Sequence, residues 1–329
     1  MSLKKLAAAV RNQHSFLITT HINPEGDALG SELAFYKLVR ALGKEGWIVN
    51  EEEVPPGYDF LPGVNSIMRF KDAPRGMRFS SFVILDCSDL RRCGKVAQLA
   101  QGKPIINIDH HISNPSFAQI NWVDADYSSC AQMVYKLYKE LRVPFNRDIA
   151  LLLYIGMLTD TGSFRYSNTS RSTHQAVAEL LKFKLDTVAI YKKVYEDISF
   201  ADVKLIGKIL PAIRQEAKGR IAWFQIERRI LKRYTGKSSF DLAEYLFNFA
   251  RAIKGVEVAV IFKHNLGVEN EIRVNFRSQG KVDVNKIAAA FGGGGHKTAS
   301  SCTIKGDISR IKRTVLRRIK EELLLISSK

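Results

Sequence analysis

The densest chemistry in this 329-residue chain is the run Asp109-His110-His111, directly after the apolar segment Pro104 to Ile108. Three side chains able to bind a metal stand where a buried strand should end, and open parallel sheets bind ligands at the carboxyl ends of their strands. The pattern recurs. Phe16 to Thr20 runs into His21-Ile22-Asn23-Pro24-Glu25-Gly26-Asp27, Phe82 to Leu85 runs into Asp86, and the apolar stretch Ile149 to Leu158 runs into Asp160-Thr161-Gly162. A single acid in such a place is ordinarily a turn former or a helix cap. Four apolar segments that all end in acids, two of them with histidine, predict one pocket.

Hard divalent cations take carboxylate oxygens, and imidazole nitrogen suits transition ions. The mixture therefore points to Mn²⁺ first, with Mg²⁺ or Co²⁺ as substitutes. His21, Glu25, Asp27, Asp86, His110 and Asp160 are too many ligands for one ion and enough for two ions that share a carboxylate. Paired ions about 3.5–4 Å apart activate water and stabilise a leaving oxygen in displacement at phosphorus. Cys87, beside Asp86, is read as a small core residue.

The elements that must hold these residues are legible in the periodicity. Residues 16–21, 82–86 and 104–109 read as short buried strands. Gly26 to Leu42 carries Leu29, Leu33, Tyr36 and Val39 at helical spacing, and 128–141 and 147–158 repeat that spacing. Alternating strands and helices predict an α/β domain with a doubly wound parallel sheet over 1–185. A helical connector is expected over 186–211. A smaller α/β domain is expected over 212–329, with strands at 220–227, 256–264 and 271–277 and a helix between Ser239 and Lys254. Arg310 to Leu323 has the spacing of an amphipathic terminal helix, taken as structural.

Lysine and arginine number 50 against 33 acids, a net charge of +17, which favours polyanionic partners. Cys87, Cys93, Cys130 and Cys302 show no Cys-x-x-Cys spacing, so neither a disulfide framework nor a structural zinc site is expected. The longest apolar stretch is too short to span a bilayer. Arg11 to His14 interrupt the apolar N-terminus, which reads as a first helix, so a cytoplasmic location is expected.

Taken in order, His-x-Asn-Pro-Glu-x-Asp at 21–27, Asp86, Asp109-His110-His111 and Asp160-Thr161-Gly162 resemble the DHH phosphoesterases. Gly292-Gly293-Gly294-Gly295-His296 is similar to the glycine-rich motif of the DHHA1 domain that follows in that family. The nanoRNase/pAp phosphatase branch looks nearest, through Phe276-Arg277-Ser278 and Thr159 to Arg165. Two departures stand out: Glu25 replaces the usual Asp, and Ala299-Ser300-Ser301 replaces the usual Ala-x-Gly.

The resemblance implies that His21, Glu25 and Asp86 hold a first ion and that Asp27, Asp86, His110 and Asp160 hold a second, with Asp86 bridging. It implies catalytic roles for Asp86, His110, His111 and Asp109, with Asp109 orienting His110 and His111 serving the scissile phosphate. Arg277 and His296, with Gly293, Gly294 and Gly295, would bind a terminal phosphate across a cleft between the domains. Expected substrates are single-stranded RNA of 2–5 nucleotides and pAp. No membrane partner is expected, and homodimerisation is left open. The competing readings are a cyclic or linear dinucleotide phosphodiesterase, a manganese-dependent inorganic pyrophosphatase, and a catalytically silent RNA-binding module.

Overall fold

The computed structural model describes every residue except Arg75, 234–241, 266–267, His296 and 328–329. It divides into two compact units, Met1–Val194 and Tyr195–Lys329. The division falls inside the helical stretch 186–211. Among the described residues no helix is long and apolar enough to cross a membrane.

The first unit is built on six parallel strands: β1 (Ser15–Thr19), β2 (Glu45–Asn50), β3 (Ile67–Arg69), β4 (Ser81–Leu85), β5 (Ile105–Asp109) and β6 (Ile120–Val123). Their spatial order is β3-β2-β1-β4-β5-β6, every neighbouring pair parallel. The inner strands are apolar on both faces because both faces are covered. Phe16, Leu17, Ile18, Phe82, Val83 and Ile84 are fully buried, each adding about 1.5–3 kcal/mol of transfer free energy. Sheet order reverses between β1 and β4. Connections leave that pair in opposite directions there, opening a crevice at the carboxyl ends of the strands.

Five helices belong to this unit's core: α1 (Leu3–Asn12), α2 (Gly26–Ala41), α3 (Cys130–Leu141), α4 (Arg147–Asp160) and α5 (Arg171–Leu181). The apolar run at 149–158, grouped above with the strand-then-acid segments, is part of helix α4. Its length and its burial on nearly every side explain both the apolarity and the missing polar face. Helices α2 and α4 touch at glycines. A Cβ on Gly30 would lie 2.4 Å from the Leu152 carbonyl oxygen, and one on Gly156 would lie 2.4 Å from Ala131 Cβ and 2.6 Å from Asp27 Oδ1. Only hydrogen fits at those points, so the two helices lie closer than any side chain would allow.

Short α6 (Thr187–Tyr191) leads to the second unit, whose helices are α7 (Phe200–Ile209), α8 (Arg228–Arg233), α9 (Leu242–Ala252), α10 (Val284–Ala289) and α11 (Ile308–Ser327). Its strands are β7 (Arg214–Glu216), β8 (Ile221–Ile226), β9 (Val258–His264), β10 (Glu271–Ser278), β11 (Gly294–Gly295) and β12 (Ala299–Lys305). They form one sheet in the order β11-β12-β10-β9-β8-β7, antiparallel except for β8 with β9. On one face α10 and α11 bury Val260, Phe262, Val274 and Phe276. On the other α7 and α9 cover Ala222, Phe224, Ala259 and Ile261.

Candidate metal centre

Three adjacent strands of the first unit deliver the pocket. His21 follows β1, Asp86 follows β4, and Asp109 ends β5 with His110 and His111 behind it. Glu25 caps α2, Asp27 lies in its first turn, and Asp160 is the last residue of α4. Strand ends at the sheet's switch point thus meet one helix start and one helix end.

Three sets of ligand atoms lie within 4.8 Å of one another: His21, Glu25 and Asp86; Asp27, His110 and Asp160; and Asp86, His110 and His111. Asp86 belongs to two of them. His21 Nε2 lies 3.7 Å from Asp86 Oδ2, while His110 Nε2 lies 3.3 Å from Asp86 Oδ1, 3.5 Å from Asp160 Oδ2 and 3.7 Å from Asp27 Oδ2. Every expected metal ligand is in this cluster.

The ring hydrogen bonds set which nitrogen faces inward. His21 Nδ1 bonds the Ile22 carbonyl at 2.8 Å and His110 Nδ1 bonds the Tyr127 carbonyl at 3.3 Å. With the proton on Nδ1, each Nε2 presents a lone pair to the carboxylates, the tautomer a metal requires. Asp109 does not orient His110. Its Oδ1 accepts from His111 Nδ1 at 2.6 Å and from the His110 backbone N–H at 2.9 Å, and its Oδ2 accepts from Asn114 Nδ2 at 2.5 Å. The Tyr127 carbonyl has taken the place at His110, which leaves Asp109 beneath His111.

Crowded acids shift one another. Burial, then Asp86 and Glu25, push the Asp160 carboxyl up to about 7 against the pull of His110. The C-terminal end of a helix dipole disfavours a carboxylate as well. Asp27 is raised by burial and by Asp86 and Asp160. Burial would raise Asp86, but the neighbouring His110 and His21 rings, with His111, hold it well below the usual carboxylate range. Burial would lower His21, yet Asp86 carries it up to about 9. Such a cluster is short of positive charge and shares protons to survive.

Two further observations fit a cation. Asp86 Oδ1 is buried with no hydrogen-bond partner among the described residues, and Asp86 has φ 54°, a left-handed conformation uncommon outside glycine and found at functional turns. Asp27 also holds helix α3, because its Oδ2 and Oδ1 accept from the Cys130 and Ala131 N–H groups at 2.7 and 2.8 Å. Residue types alone hid two partners. Asn114 ties Asp109 to Asn107, and Asn168 Nδ2 donates to Asp160 Oδ2 at 3.4 Å and to the Ser128 carbonyl at 2.9 Å. The only hint was an asparagine within eight positions of the motifs at 109–111 and 160–162.

In the second unit Arg277 Nη2 pairs with Glu244 Oε2 at 3.0 Å, and its guanidinium lies 4.9 Å from the Phe247 ring centre. The glycine run includes a short strand in which Gly294 pairs with Ser301 and Gly295 with Ser300. A Cβ on Gly293 would lie 2.1 Å from the Ser301 carbonyl oxygen, so packing against β12 already requires glycine there. His296 lies outside the described residues.

Residues 15–157 match the N-terminal domain of the DHH family, and 231–321 match the DHHA1 domain. The chain is 31% identical over 310 residues to the bifunctional oligoribonuclease and PAP phosphatase NrnA of Thermus thermophilus, covering 93% of this chain and 89% of that one. This chain belongs to the DHH family. Its NrnA relative in Bacillus subtilis is 28% identical over 88% of this chain and 89% of its own. A crystal structure of an exopolyphosphatase-related protein from Bacteroides fragilis has the same fold, with TM-score 0.86 at 24% identity over 99% of this chain and 97% of that one. DHH phosphoesterases depend on divalent metal, and the chain is accordingly a metal-dependent phosphoesterase, a hydrolase of ester bonds.

Proposed function

We propose that the chain hydrolyses RNA fragments of two to five nucleotides to nucleoside 5′-monophosphates, and pAp to AMP, in the cytoplasm. The observation that carries the reading is Asp86, which stands between two donor sets in a family whose NrnA members, by name, act as oligoribonuclease and PAP phosphatase. The DHHA1 match favours this over an inorganic pyrophosphatase.

His21, Glu25 and Asp86 would hold one divalent ion and Asp27, Asp86, His110 and Asp160 the other, with Mn²⁺ the preferred metal. When bound, such a pair supplies Lewis acidity at phosphorus and lowers the pKa of water. Asp109 fixes the His111 imidazole through Nδ1, and burial, which would lower that ring, is outweighed by Asp109. His111 therefore keeps a proton readily, and its Nε2 would deliver one to the leaving oxygen. His21 and His110 keep their protons on Nδ1, directed at backbone carbonyls, so neither competes for that role. Buried walls around Asp27, Asp86 and His110 exclude bulk water from the reacting end.

In the second unit Arg277 would grip a terminal phosphate through its planar fork, with Gly293 to Gly295 and His296 as further candidates for holding it. RNA and pAp then present the same bond, from phosphorus to the 3′ oxygen of the held nucleotide.

The test is to incubate the protein with Mn²⁺ and a 5′-labelled RNA series of 2 to 24 nucleotides, alongside pAp, with a chelated control. Short RNA and pAp should turn over, long RNA should lag, and chelation should abolish both activities. A 24-mer degraded as fast per end as a 3-mer contradicts the reading.

A further inference from the structure

Behind Asp86 the chain makes a turn that brings an arginine back to the metal centre. The Arg92 carbonyl accepts from the Ile22 N–H at 2.7 Å, and the Ile22 carbonyl bonds His21 Nδ1 at 2.8 Å. Residue 92 is therefore anchored one peptide away from a histidine of the metal cluster. The rest of the turn is held as firmly. Asp89 accepts from the Arg91 N–H at 2.9 Å, and Glu51 Oε2 accepts from the Lys95 N–H at 2.8 Å. Gly94, at φ 61°, has no room for a Cβ, which would lie 2.8 Å from Glu51 Cγ. None of these contacts needs an arginine side chain at position 92.

Two adjacent arginines are used differently here. Arg91 is exposed, and its Nε donates to the two Asp89 oxygens at 2.9 and 3.1 Å. Arg92 is half-buried and has no ion pair among the described residues. Its charge reaches the centre: burial opposes a proton on His21, Asp86 favours it, and Arg92 opposes it again. The same charge must repel a cation held by His21. Glu25, Asp27, Asp86 and Asp160 carry four negative charges when all are ionised, and two divalent ions cancel them. The Arg92 guanidinium is then a surplus positive charge in a pocket partly screened from water, and it weakens metal binding until an anion arrives. In a phosphoesterase that anion is the phosphate of the substrate.

We propose that Arg92 is a ligand of the scissile phosphate, its guanidinium taking a non-bridging oxygen on the His21 side of the metal centre. The proposal deepens the functional reading at its own site, and it needs only that the chain be a metal-dependent phosphoesterase, whichever ester it prefers. Arginine suits the place because its charge does not titrate and its planar fork matches phosphate oxygens. A donor held in position beforehand, in a site sheltered from water, stabilises charge on those oxygens without reorganising during the reaction. The task differs from that of Arg277, which would grip a phosphate that is not cut.

The experiment is isothermal titration of the full chain, first with Mn²⁺ and then, on the Mn²⁺-loaded protein, with inorganic phosphate. Arg92→Gln should bind Mn²⁺ at least as tightly as wild type, because a neighbouring positive charge has gone, yet bind phosphate more weakly by about tenfold or more. Arg92→Lys, which keeps the charge and loses the fork, should fall between them in phosphate affinity. In Arg92→Ala, kcat/KM for pAp should fall about 10–150-fold, the worth of a charge-assisted hydrogen bond, and guanidinium ion at a non-denaturing concentration should restore part of it. A Mn²⁺ affinity that falls together with the phosphate affinity makes Arg92 a structural residue and overturns the proposal. So does an unchanged phosphate affinity in Arg92→Gln, or a wild type that binds no phosphate. A wild type that binds phosphate through Arg92 and cleaves p-nitrophenyl phosphate esters, yet leaves RNA and pAp intact, supports Arg92 and overturns the functional reading instead.

Discussion

Gly156→Ala sets two effects of opposite sign against each other at the point where packing meets the metal centre. An alanine inside an exposed helix would stabilise α4 by about 1 kcal/mol over glycine. Here the added methyl would sit 2.4 Å from Ala131 Cβ and 2.6 Å from Asp27 Oδ1, where ordinary contact needs roughly 3.4 Å or more. Neither neighbour can yield cheaply. Ala131 is in the first turn of α3, and Asp27 Oδ1 accepts its N–H at 2.8 Å. Overpacking of this kind costs about 1–3 kcal/mol, and disturbing a helix cap costs about 0.5–2 kcal/mol more. The net change should be a destabilisation of about 1–3 kcal/mol, which for a unit of 194 residues lowers Tm by about 2–4 °C per kcal/mol. Moving Asp27 by several tenths of an ångström should also weaken the ion at Asp27, His110 and Asp160 by about 10–100-fold, while the His21, Glu25 and Asp86 set changes little. Calorimetric melts in EDTA give the first quantity, and isothermal titration with Mn²⁺ gives the second. A variant that melts higher than wild type and binds Mn²⁺ with unchanged affinity refutes the claim that this glycine contact positions Asp27.

Asp86→Asn should lower turnover by several orders of magnitude and reduce the bound Mn²⁺ per chain, with little loss of fold, because asparagine also tolerates the left-handed backbone at φ 54°; near wild-type turnover ends the two-ion reading. Glu32 is fully buried, with Oε1 bonded to Asn50 and Oε2 without a hydrogen-bond partner among the described residues, and burial pushes its carboxyl up to about 8 from 4.5. The folded state therefore keeps a proton that the unfolded chain releases, so stability falls as pH rises from about 4.5 to 8, on the order of 5 kcal/mol in all. Glu32→Gln should remove that slope in urea melts of the metal-free protein, and an identical slope in both proteins contradicts it. Arg277→Ala should cut kcat/KM for pAp and for a dinucleotide in parallel, by about 10–150-fold, the worth of a charge-assisted hydrogen bond; a loss confined to one substrate breaks the shared grip.

What was legible in the sequence was the chemistry at the ends of elements. Acids and histidines behind buried strands announce themselves because few other residue types can do that work, and the switch point of the sheet gathers His21, Asp86 and His110 without help from any long-range signal. Edge strands were not legible. Ile67–Arg69 and Ile120–Val123 are short, and they pair on one side only, so neither apolar length nor alternation marks them. The connection from Asp109 to His111 was hidden for a different reason. Which histidine a carboxylate supports depends on ring orientation, and that is decided by the carbonyl of Tyr127, seventeen residues away and chemically anonymous. Asp27 shows the same limit more sharply. In the sequence it is one acid of a metal motif, and in the fold it also holds the start of α3 through two backbone N–H groups. Those two bonds fix its oxygens before any ion arrives. A ligand that is already paid for by the scaffold loses little freedom on binding metal, and the glycines at 30 and 156 exist to let that scaffold close around it.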